Sequence, residues 1–438
     1  MRTALSWIGI IGVVGLTACK ASPTGGSITG GDGGSTTAGG AGGGTAGSGT
    51  GATGGDLFGS GGTIGGGGSK ECNAGPDEDQ DKDGFSINGG DCNDCDPNVN
   101  PGAVEVMTKM GGGGSGGAGP GTPVDEDCDM LIDEMDPDLM PCDSGLAIDG
   151  DAWAGAKAID LCKQAVQPKE WGVIDAKWVL ADGAPSSGAS FDVGHGILSA
   201  FGPNTNVQKG QRMLGVSSGT ARQPTDPGYQ SVGGYSKGYS CNHPMGFPKE
   251  SPSCGVAVTG GCYDSTGLEL KIRVPTNAHG FSFNFNFYTY EWPGFVCSTF
   301  NDFFTAILSP IPAGQTDGNI TFDNLGNPVS VNNAFVEACG CVGGPPCTAG
   351  GKTFTCSLGD STLQGTGFGL DAGGYADHGS TSWLLTQAPI EPGTEMTIRF
   401  VAYDSGDGIL DSTGLVDNFT WIAEPGTQIG TTPIPDPK

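Results

Sequence analysis

Basic residues are scarce in this sequence. Its 438 residues contain 19 Lys and Arg against 48 Asp and Glu, which gives a formal net charge of -29. Such a chain repels the phosphates of nucleic acids and of anionic lipid headgroups, so nucleic acid is excluded as a partner. The acidity is also concentrated, because 18 Asp and Glu lie between Glu71 and Asp138, where only Lys82 and Lys109 are basic. This density indicates cation binding more than a generally solvated surface.

Catalytic signatures are equally few. Only four histidines occur, at scattered positions, and neither an HExxH motif nor a P-loop is present. Residues 215–219 match GxSxG around Ser217, but the residues that follow do not favour the helix that a nucleophile elbow requires. Residues 359–361 form a second serine motif without a suitably spaced histidine pair. We predict that the protein is not an enzyme, and a secreted hydrolase is the less favoured alternative.

Long apolar runs are absent apart from the first 19 residues, MRTALSWIGIIGVVGLTAC. Arg2 gives a positive start, and the apolar stretch at residues 5–16 is too short to cross a membrane comfortably. The stretch ends in Leu-Thr-Ala-Cys, which resembles the lipobox of bacterial lipoproteins. The resemblance implies cleavage before Cys19 and acylation of its thiol, for example with palmitate. It predicts an exported lipoprotein at the outer membrane or cell surface of a Gram-negative bacterium.

An ordinary secretory signal with an incidental cysteine is the alternative at this N-terminus. Residues 20–70 follow, and residues 21–70 contain 23 glycines with mostly Ser, Thr and Ala between them. This composition is typical of a disordered tether, which would span about 40 Å as a coil. We divide the rest of the chain into an acidic segment (residues 71–142), a large domain (residues 143–425) and a C-terminal tail (residues 426–438).

Fourteen cysteines remain besides Cys19, and an even number in an exported protein favours disulfides. The sequence does not fix their pairing. Cys92 and Cys95 have CxxC spacing, so a zinc or redox site is the alternative there, although the surrounding carboxylates favour a harder cation. The disulfide candidates are Cys72, Cys92, Cys95, Cys128, Cys142, Cys162, Cys241, Cys254, Cys262, Cys297, Cys339, Cys341, Cys347 and Cys356.

The acidic segment contains a pattern typical of calcium loops. Asp79, Asp81 and Asp83 alternate and Gly84 follows, so a tight turn can direct several carboxylate oxygens towards one point. The loop is not an EF-hand, because position 12 counted from Asp79 is a glycine rather than a bidentate glutamate. A merely acidic linker is the alternative. We predict that the segment binds calcium.

The order of motifs in residues 77–134 resembles the MopE-type metal-binding motif of bacterial surface proteins, similar in style to thrombospondin type 3 calcium repeats. DxDxDG, GDC with further aspartates, PGA-E and a closing DxDCD-xx-DE follow one another. A cysteine expected after PGA-E is missing, and Cys95 is a candidate to replace it. A Gly-rich insert at residues 111–121 resembles a flexible loop, so the two halves can still close on one ion. The predicted ligands are Asp77, Asp79, Asp81, Asp83, the carbonyl of Phe85, Asp91, Asp94, Asp96, Asp125, Asp127, Asp129, Asp133 and Glu134.

The large domain shows mainly β patterning. A short helix is predicted near residues 152–166, with Asp151 as its N-cap. Apolar and polar residues alternate over residues 268–274 and again over residues 281–287, where the second run predicts a half-buried strand. Further strands are predicted at residues 318–323, 396–403 and 415–422. Short strands separated by Gly and Pro predict a mainly β fold, a β-sandwich or jelly roll.

Residues 265–425 also resemble the choice-of-anchor L family. The resemblance rests on HGFSFNFNFYTYEWPGFVCSTFNDFFTAILS and on STSWLLTQAPIEPGTEMTIRFVAYDSGDGILDSTGLVDNFTW. It implies an exported β-rich module of the kind found with varied surface anchors, and no particular reaction.

Two further sites are candidates within this domain. The first is a second metal site, for which turn-forming aspartates are the favoured alternative. The second is an aromatic platform for glycans, for which packing in the core is the favoured alternative. The second-metal candidates are Asp404, Asp407, Asp411, Asp417 and Asn418, and the aromatic candidates are Tyr288, Tyr290, Trp292 and Trp383.

The sequence as a whole predicts a surface lipoprotein that displays a calcium-ordered acidic segment and a β-sandwich. Calcium would neutralise clustered carboxylates and order a chain that otherwise repels itself. The predicted partners are the membrane, through the lipid anchor, and a glycan or protein ligand. A structural envelope protein without a small ligand is the alternative.

Overall fold

The computed structural model describes residues 74–107, 123–255, 260–333, 335–369 and 378–435. The predicted signal, the tether, Cys72, the whole Gly-rich insert and the last three residues lie outside the described residues. In the described part of the chain, no helix has both the length and the apolar character needed to span a bilayer.

Fifteen strands dominate the described residues, and helices are short. The helices are α1 (Ala152–Lys157) and α2 (Ala189–Asp192), with 3₁₀ turns at Ile87–Gly89, Pro137–Leu139 and Ser361–Leu363. The strands are β1 (Gly172–Val179), β2 (His195–Leu198), β3 (Met213–Ser217), β4 (Ser240–Cys241), β5 (Cys262–Arg273), β6 (Gly280–Thr289), β7 (Phe303–Ser309), β8 (Ala338–Cys339), β9 (Cys347–Ala349), β10 (Lys352–Phe354), β11 (Gly379–Ser380), β12 (Leu384–Pro389), β13 (Glu395–Ser405), β14 (Ser412–Ile422) and β15 (Gly430–Pro433).

Two antiparallel sheets form the body of the molecule. The first has the order β1-β5-β13-β7, with β4 added to β5. The second has the order β15-β12-β6-β14-β3-β2, with β11 and β8 added beside β6. Strands β9 and β10 pair separately as a hairpin. Neighbouring strands are thus often far apart in sequence, as in Greek-key sandwiches.

The two sheets pack face to face around an aromatic core. Phe283 of β6 meets Phe400 of β13 edge to face, with ring centroids 4.9 Å apart. Phe285 of β6 stacks on Phe304 of β7, with centroids 5.0 Å apart. All four rings are fully buried. Aromatic pairs across two sheets stabilise a sandwich through both area and ring geometry, so the predicted mainly β sandwich is confirmed.

Strand β6 is more deeply buried than its sequence indicates. The polar face predicted to be solvated is covered, and Asn284 and Asn286 are both buried. The amide oxygen of Asn286 accepts a hydrogen bond from the Ser380 hydroxyl at 2.6 Å, and that of Asn284 accepts one from the Asn418 amide at 2.6 Å. Strand β6 is deeply buried because it lies between β12 and β14 in the sheet and loops pack over its outer face. The prediction of a half-buried strand was therefore wrong.

Two other predicted elements differ from the structure. Asp151 caps α1 as predicted, accepting the Ala154 N–H at 2.8 Å, but the helix ends at Lys157 instead of near residue 166. Asp160 adopts a positive φ of 70°, which an α-helix cannot accommodate, and so turns the chain away. Residues 318–323 form only isolated bridges to neighbouring residues instead of a strand. The strands predicted at residues 396–403 and 415–422 are confirmed as β13 and β14.

Disulfides connect most of the cysteines in the described residues. Cys95 is also disulfide-bonded. The pairs are Cys92–Cys128, Cys142–Cys162, Cys241–Cys262, Cys254–Cys297, Cys339–Cys356 and Cys341–Cys347. Because Cys92 and Cys95 are both bonded in this way, their CxxC spacing does not provide zinc-binding thiolates.

The acidic segment packs directly against the sandwich. Val104 is buried with the main core, and its backbone exchanges two hydrogen bonds with the Asn277 side chain, at 3.0 and 2.8 Å. The Thr276 hydroxyl donates to the amide oxygen of Asn100 at 2.7 Å. Lys169 donates to the Gly84 carbonyl oxygen, and its ammonium lies 5.0 Å from the centre of the Phe85 ring. These contacts fix the position of the acidic loops on the sandwich.

Candidate metal centres

The first acidic loop, residues 79–85, folds around its own aspartates. Asp79 accepts the N–H groups of Lys82 at 2.7 Å and Gly84 at 3.1 Å. Asp81 accepts the N–H of Asp83 at 3.2 Å, and Asp83 accepts the N–H of Phe85 at 2.7 Å. Aspartate favours such local bonds to the backbone two residues ahead. In Asp81 and in Asp83 this hydrogen bond uses one carboxylate oxygen, and the second oxygen points away from the backbone of the loop.

The remaining oxygens converge into a first acidic cluster, which comprises Asp79, Asp81, Asp83, Asp91 and Asp94. The Oδ2 atoms of Asp81, Asp83, Asp91 and Asp94 are buried and have no hydrogen-bond partner. Asp91 is 4% exposed and Asp94 is 2% exposed. Oxygens of Asp79, Asp81 and Asp83 lie within 4.8 Å of one another, as do those of Asp81, Asp91 and Asp94. Because water cannot reach these oxygens, a bound cation is the partner that they fit best.

Residues 125–131 repeat most of the hydrogen bonds of the first loop, although the first aspartate accepts an N–H four residues on instead of three. Asp125 accepts the N–H groups of Asp129 at 3.0 Å and Met130 at 2.9 Å. Asp127 accepts the N–H of Asp129 at 3.2 Å, and Asp129 accepts that of Leu131 at 2.8 Å. The offsets of two and five residues equal those of the first loop.

Positive backbone angles also recur in the two loops. Lys82 (φ 72°) corresponds to Cys128 (φ 60°), and Gly84 (φ 101°) corresponds to Met130 (φ 80°). Lys82 and Cys128 each lie three residues after the first aspartate of their own loop. Gly84 and Met130 each lie five residues after it. The two loops are therefore two copies of one conformation with different sequences.

The second acidic cluster comprises Glu105, Asp125, Asp127, Asp129 and Glu134. Oxygens of Glu105, Asp125 and Asp127 lie within 4.8 Å of one another, as do those of Asp127, Asp129 and Glu134. Both carboxylate oxygens of Glu134 are buried and unpartnered. Glu105 also accepts the N–H groups of Glu126 at 3.2 Å and Asp133 at 2.7 Å, which joins the chain before the insert to the chain after it.

Burial and mutual repulsion disfavour the ionised form of these carboxylates. Desolvation, with smaller contributions from Asp81 and Asp91, raises the pKa of Asp83 to about 6. Desolvation likewise raises the pKa of Asp127 to about 6 and that of Glu105 to about 7. A bound divalent cation would reverse this balance, because it attracts the charged form of each ligand.

The donor set is suited to a hard cation. Every residue of the two clusters offers carboxylate oxygen. Cys92 and Cys128 form a disulfide with each other and so provide no thiolate. Oxygen-only sites suit calcium, magnesium or manganese, whereas zinc prefers sulfur and nitrogen. The disulfide ties the loop before the insert to the loop after it, which holds both clusters in place.

The predicted ligand list is only partly brought together. Asp77 lies outside all the converging groups and accepts the Asn88 amide at 2.7 Å. Asp96 and Asp133 are also outside these groups in the described residues. Glu105 joins the second cluster, although the prediction omitted it. Its place in the PGA-E motif was the signal that could have identified it.

The two halves of the motif do not converge on a single point. Within the described residues, no converging group combines residues 79–94 with residues 125–134. This arrangement does not favour closure of both halves on one ion. Asp79, Asp81 and Asp83 converge in the first loop, whereas Asp127 in the second loop converges with Glu105 and Asp125 and also with Asp129 and Glu134. Each loop therefore gathers its own set of carboxylates.

The predicted second metal site in the sandwich does not form as proposed. Asp404 and Asp411 are fully buried, but Asp407 is partly exposed and accepts the N–H of Ile409 at 3.2 Å. Asp417 receives the N–H groups of Gln208 at 2.6 Å and Asn418 at 2.6 Å. These backbone bonds occupy Asp417 at a different place in the sheet. The five residues thus do not share one site.

The remaining sequence candidates have structural roles. Tyr288, Trp292 and Trp383 are buried, so the alternative of core packing is correct for these three members of the aromatic platform. Ser217 is fully buried, and its hydroxyl donates to the Ser412 carbonyl oxygen at 3.0 Å. No helix follows it among the described residues up to position 255. The absence of enzymatic activity stays a prediction.

Residues 255–417 match the family model of the choice-of-anchor L domain. The match runs from just before β5 to the middle of β14, and it leaves out the acidic segment, strands β1–β4 and strand β15. Neither a curated protein nor a solved structure matches the chain.

Proposed function

We propose that this chain is a cell-surface lipoprotein whose acidic segment binds two calcium ions and thereby holds a rigid position on a β-sandwich that binds a surface ligand. The observation that carries the proposal is the set of buried, unpartnered carboxylate oxygens in both acidic clusters. Leaving ionised oxygens buried without a partner is costly, and a divalent cation removes that cost in both loops.

Calcium fits the two loops better than magnesium does. Calcium accepts six to eight oxygens at about 2.3–2.6 Å in irregular geometry, whereas magnesium requires a near-ideal octahedron with several waters. Each cluster supplies several carboxylates from one short loop and from residues further along the chain. Such uneven sets of ligands are typical of calcium sites. We assign one ion to each cluster.

The ions would control the contact between segment and sandwich. Little of the acidic segment is apolar and buried; Val99, Ala103 and Val104 provide this packing. Asn100 contacts Thr276 of the sandwich and Val104 contacts Asn277. Asn100 and Val104 both lie between the two loops in the chain. Ordering the loops on either side therefore stabilises this contact. The bound segment then acts as a spacer of fixed geometry.

The surface location rests on three supports. The choice-of-anchor L match covers a β-rich module of a kind associated with surface proteins. The disulfides fit an oxidising compartment outside the cytoplasm. The N-terminal 19 residues resemble a lipoprotein signal that ends in Cys19. A sandwich held away from the membrane by a tether is suited to adhesion or ligand binding, with a glycan or protein as the ligand class.

Calorimetric titration of the full chain with calcium tests the metal assignment. We expect saturable binding of about two ions per chain. Asp81→Asn is expected to remove one ion and Asp127→Asn the other, because each residue belongs to two converging groups of a different cluster. Asp77→Asn is the matched control, since it removes one charge from the same segment but lies outside these groups. Absence of saturable binding in the native chain would contradict the proposal.

Metabolic labelling with a fatty acid tests the anchor. In a producing bacterium the native chain is expected to incorporate the label and to sediment with membranes. Cys19→Ser is expected to lose both properties. Incorporation that is unchanged by Cys19→Ser would contradict the assignment of this cysteine.

A further inference from the structure

Four carboxylates meet at one end of the sandwich, within the part of the chain that matches the choice-of-anchor L model. We define the buried carboxylate cluster as Glu291, Asp302, Asp404 and Asp411. Glu291 follows β6, Asp302 precedes β7, Asp404 lies near the end of β13, and Asp411 precedes β14. Their exposed fractions are 2%, 1%, 0% and 0%. The cluster therefore joins both sheets and is closed to solvent.

Hydrogen bonds account for only part of this cluster. The Asp302 N–H donates to Glu291 Oε2 at 3.1 Å, and the Ser412 hydroxyl donates to Asp302 Oδ2 at 2.7 Å. Both oxygens of Asp411 and both oxygens of Asp404 are buried without a partner at hydrogen-bonding distance and angle. The Ser218 hydroxyl and the Asp302 carboxyl group nevertheless lie close enough to Asp404 to interact with it. Buried carboxylates that are so poorly satisfied are far from the usual pattern of protein interiors.

Positive charge nearby is insufficient. Lys237 is the lysine that acts electrostatically on Asp404 and Asp411. Its ammonium is fully buried, donating to the Ser217 carbonyl oxygen at 2.8 Å and to the Thr266 hydroxyl at 2.6 Å. One lysine cannot balance four buried carboxylates, and an uncompensated buried charge is strongly destabilising.

Asp417 shows how this same sandwich accommodates a buried carboxylate that needs no ion. It is fully buried like Asp404, but it receives backbone N–H groups from Gln208 at 2.6 Å, Lys209 at 3.3 Å and Asn418 at 2.6 Å. Asp404 and Asp411 receive no such donors. The difference indicates that their partner is something other than the protein backbone.

We propose that the buried carboxylate cluster holds a divalent cation of the calcium class, with Asp302, Asp404 and Asp411 as its charged ligands. This site is independent of the two centres in the acidic segment. Three carboxylate oxygens within 4.8 Å of one another occur, among the described residues, only in that segment. The ion would therefore draw the cluster together by rotation of side chains, with neutral oxygens such as carbonyls completing its shell.

An ion at this position would link the two sheets. It would connect the chain between β6 and β7 to the chain between β13 and β14. Because the cluster is closed to solvent, the ion would exchange slowly and would remain bound during purification. This behaviour distinguishes it from the more accessible ions of the acidic segment.

Metal analysis by mass spectrometry on a full chain with silenced acidic loops tests this site. The parent variant combines Asp81→Asn, Asp91→Asn, Asp127→Asn and Glu134→Gln. After refolding with calcium and gel filtration without it, we expect about one cation per chain. The ion should leave only when the chain is unfolded in a chelator. Failure of calcium binding in the acidic segment would not affect this result.

Two further variants in that parent locate the ion. Asp404→Asn is expected to lose the cation, whereas Asp417→Asn, the matched buried control, is expected to keep it. If Asp404→Asn does not fold, the metal content of the parent variant still shows whether the sandwich holds a cation. A folded parent without a cation, with infrared absorption from protonated carboxyl groups, would overturn the proposal and show that protons neutralise the cluster.

Discussion

The acidic segment and the β-sandwich are each stabilised by different interactions. The sandwich buries a continuous core that includes Phe283, Phe285 and Phe400, and its backbone is paired in two sheets. The segment has no strand among its described residues, and aspartate side chains accept many of its backbone N–H groups. Cation binding should therefore be essential for the order of the segment and much less important for the hydrophobic core.

Removing an aromatic ring from the core should change stability more than any other substitution considered for the sandwich or the acidic segment. Phe283→Ala should lower the free energy of unfolding of the sandwich by about 3–5 kcal/mol, because it removes a fully buried ring that contacts Phe400. Chemical denaturation in calcium would measure the loss. Ile311→Ala is the control, since Ile311 is 39% exposed and should change stability by at most about 0.5 kcal/mol. A loss of similar size in both variants would show that the aromatic core is not what distinguishes the sandwich.

Smaller changes in calcium affinity are expected when the glycine position is exchanged between the two loops. Gly84→Ala should weaken calcium binding at the first cluster by about 1–2 kcal/mol, or roughly five- to thirty-fold, because alanine is strained at φ 101°. Met130→Gly should strengthen binding at the second cluster by up to about 1 kcal/mol, since Met130 has φ 80°. Its side chain is 91% exposed, so little packing is lost.

Calorimetric titration of each loop variant provides the readout. Asp77→Ala is a suitable surface control, because Asp77 lies outside the converging groups. If Gly84→Ala and Met130→Gly shift calcium affinity in the same direction, the two loops are not conformational equivalents.

The smallest expected effect is a dependence on pH. In the metal-free chain, burial raises the pKa of Asp83 and Asp127 to about 6 and that of Glu105 to about 7. The folded segment therefore binds protons more tightly than the unfolded segment does. Its stability is greatest below about pH 4, the unfolded pKa, and is lost as the pH rises through about 6–7.

Amide exchange corrected for the intrinsic rate measures this dependence. In a chelator, protection of residues 79–85 and 125–131 should fall between about pH 5 and pH 8. With calcium the trend should reverse, because protons compete with the ion for the same oxygens. Strand β12 has no acidic residue and serves as an internal reference. Protection that rises with pH in the chelator would contradict the pKa shifts.

The sequence predicted the first loop well and the second loop poorly. Alternation of Asp79, Asp81 and Asp83 before a glycine indicates a tight turn, and the structure forms that turn. In the second loop Met130 stands where the glycine would be, so its left-handed backbone has no signal in the sequence. Hydrogen bonds from the backbone to Asp125 impose the conformation instead.

The buried carboxylates of the sandwich were the hardest feature to predict. Asp404, Asp407 and Asp411 lie among Gly and Ser, a composition typical of exposed turns. Only the fold brings Glu291 and Asp302 to Asp404, over more than 100 residues of sequence. In contrast, strands such as β5 and β6 were predictable, because their period-two alternation depends on local geometry alone.

Hydrogen–deuterium exchange on the full chain, with calcium and then with a chelator, tests whether bound cations order the acidic segment. We predict that calcium strongly slows exchange in residues 77–96 and 125–134 and leaves the core strands β5, β6 and β13 nearly unchanged. Equal exchange in the acidic segment under both conditions, with the disulfides intact, would contradict it and would identify the segment as an acidic linker.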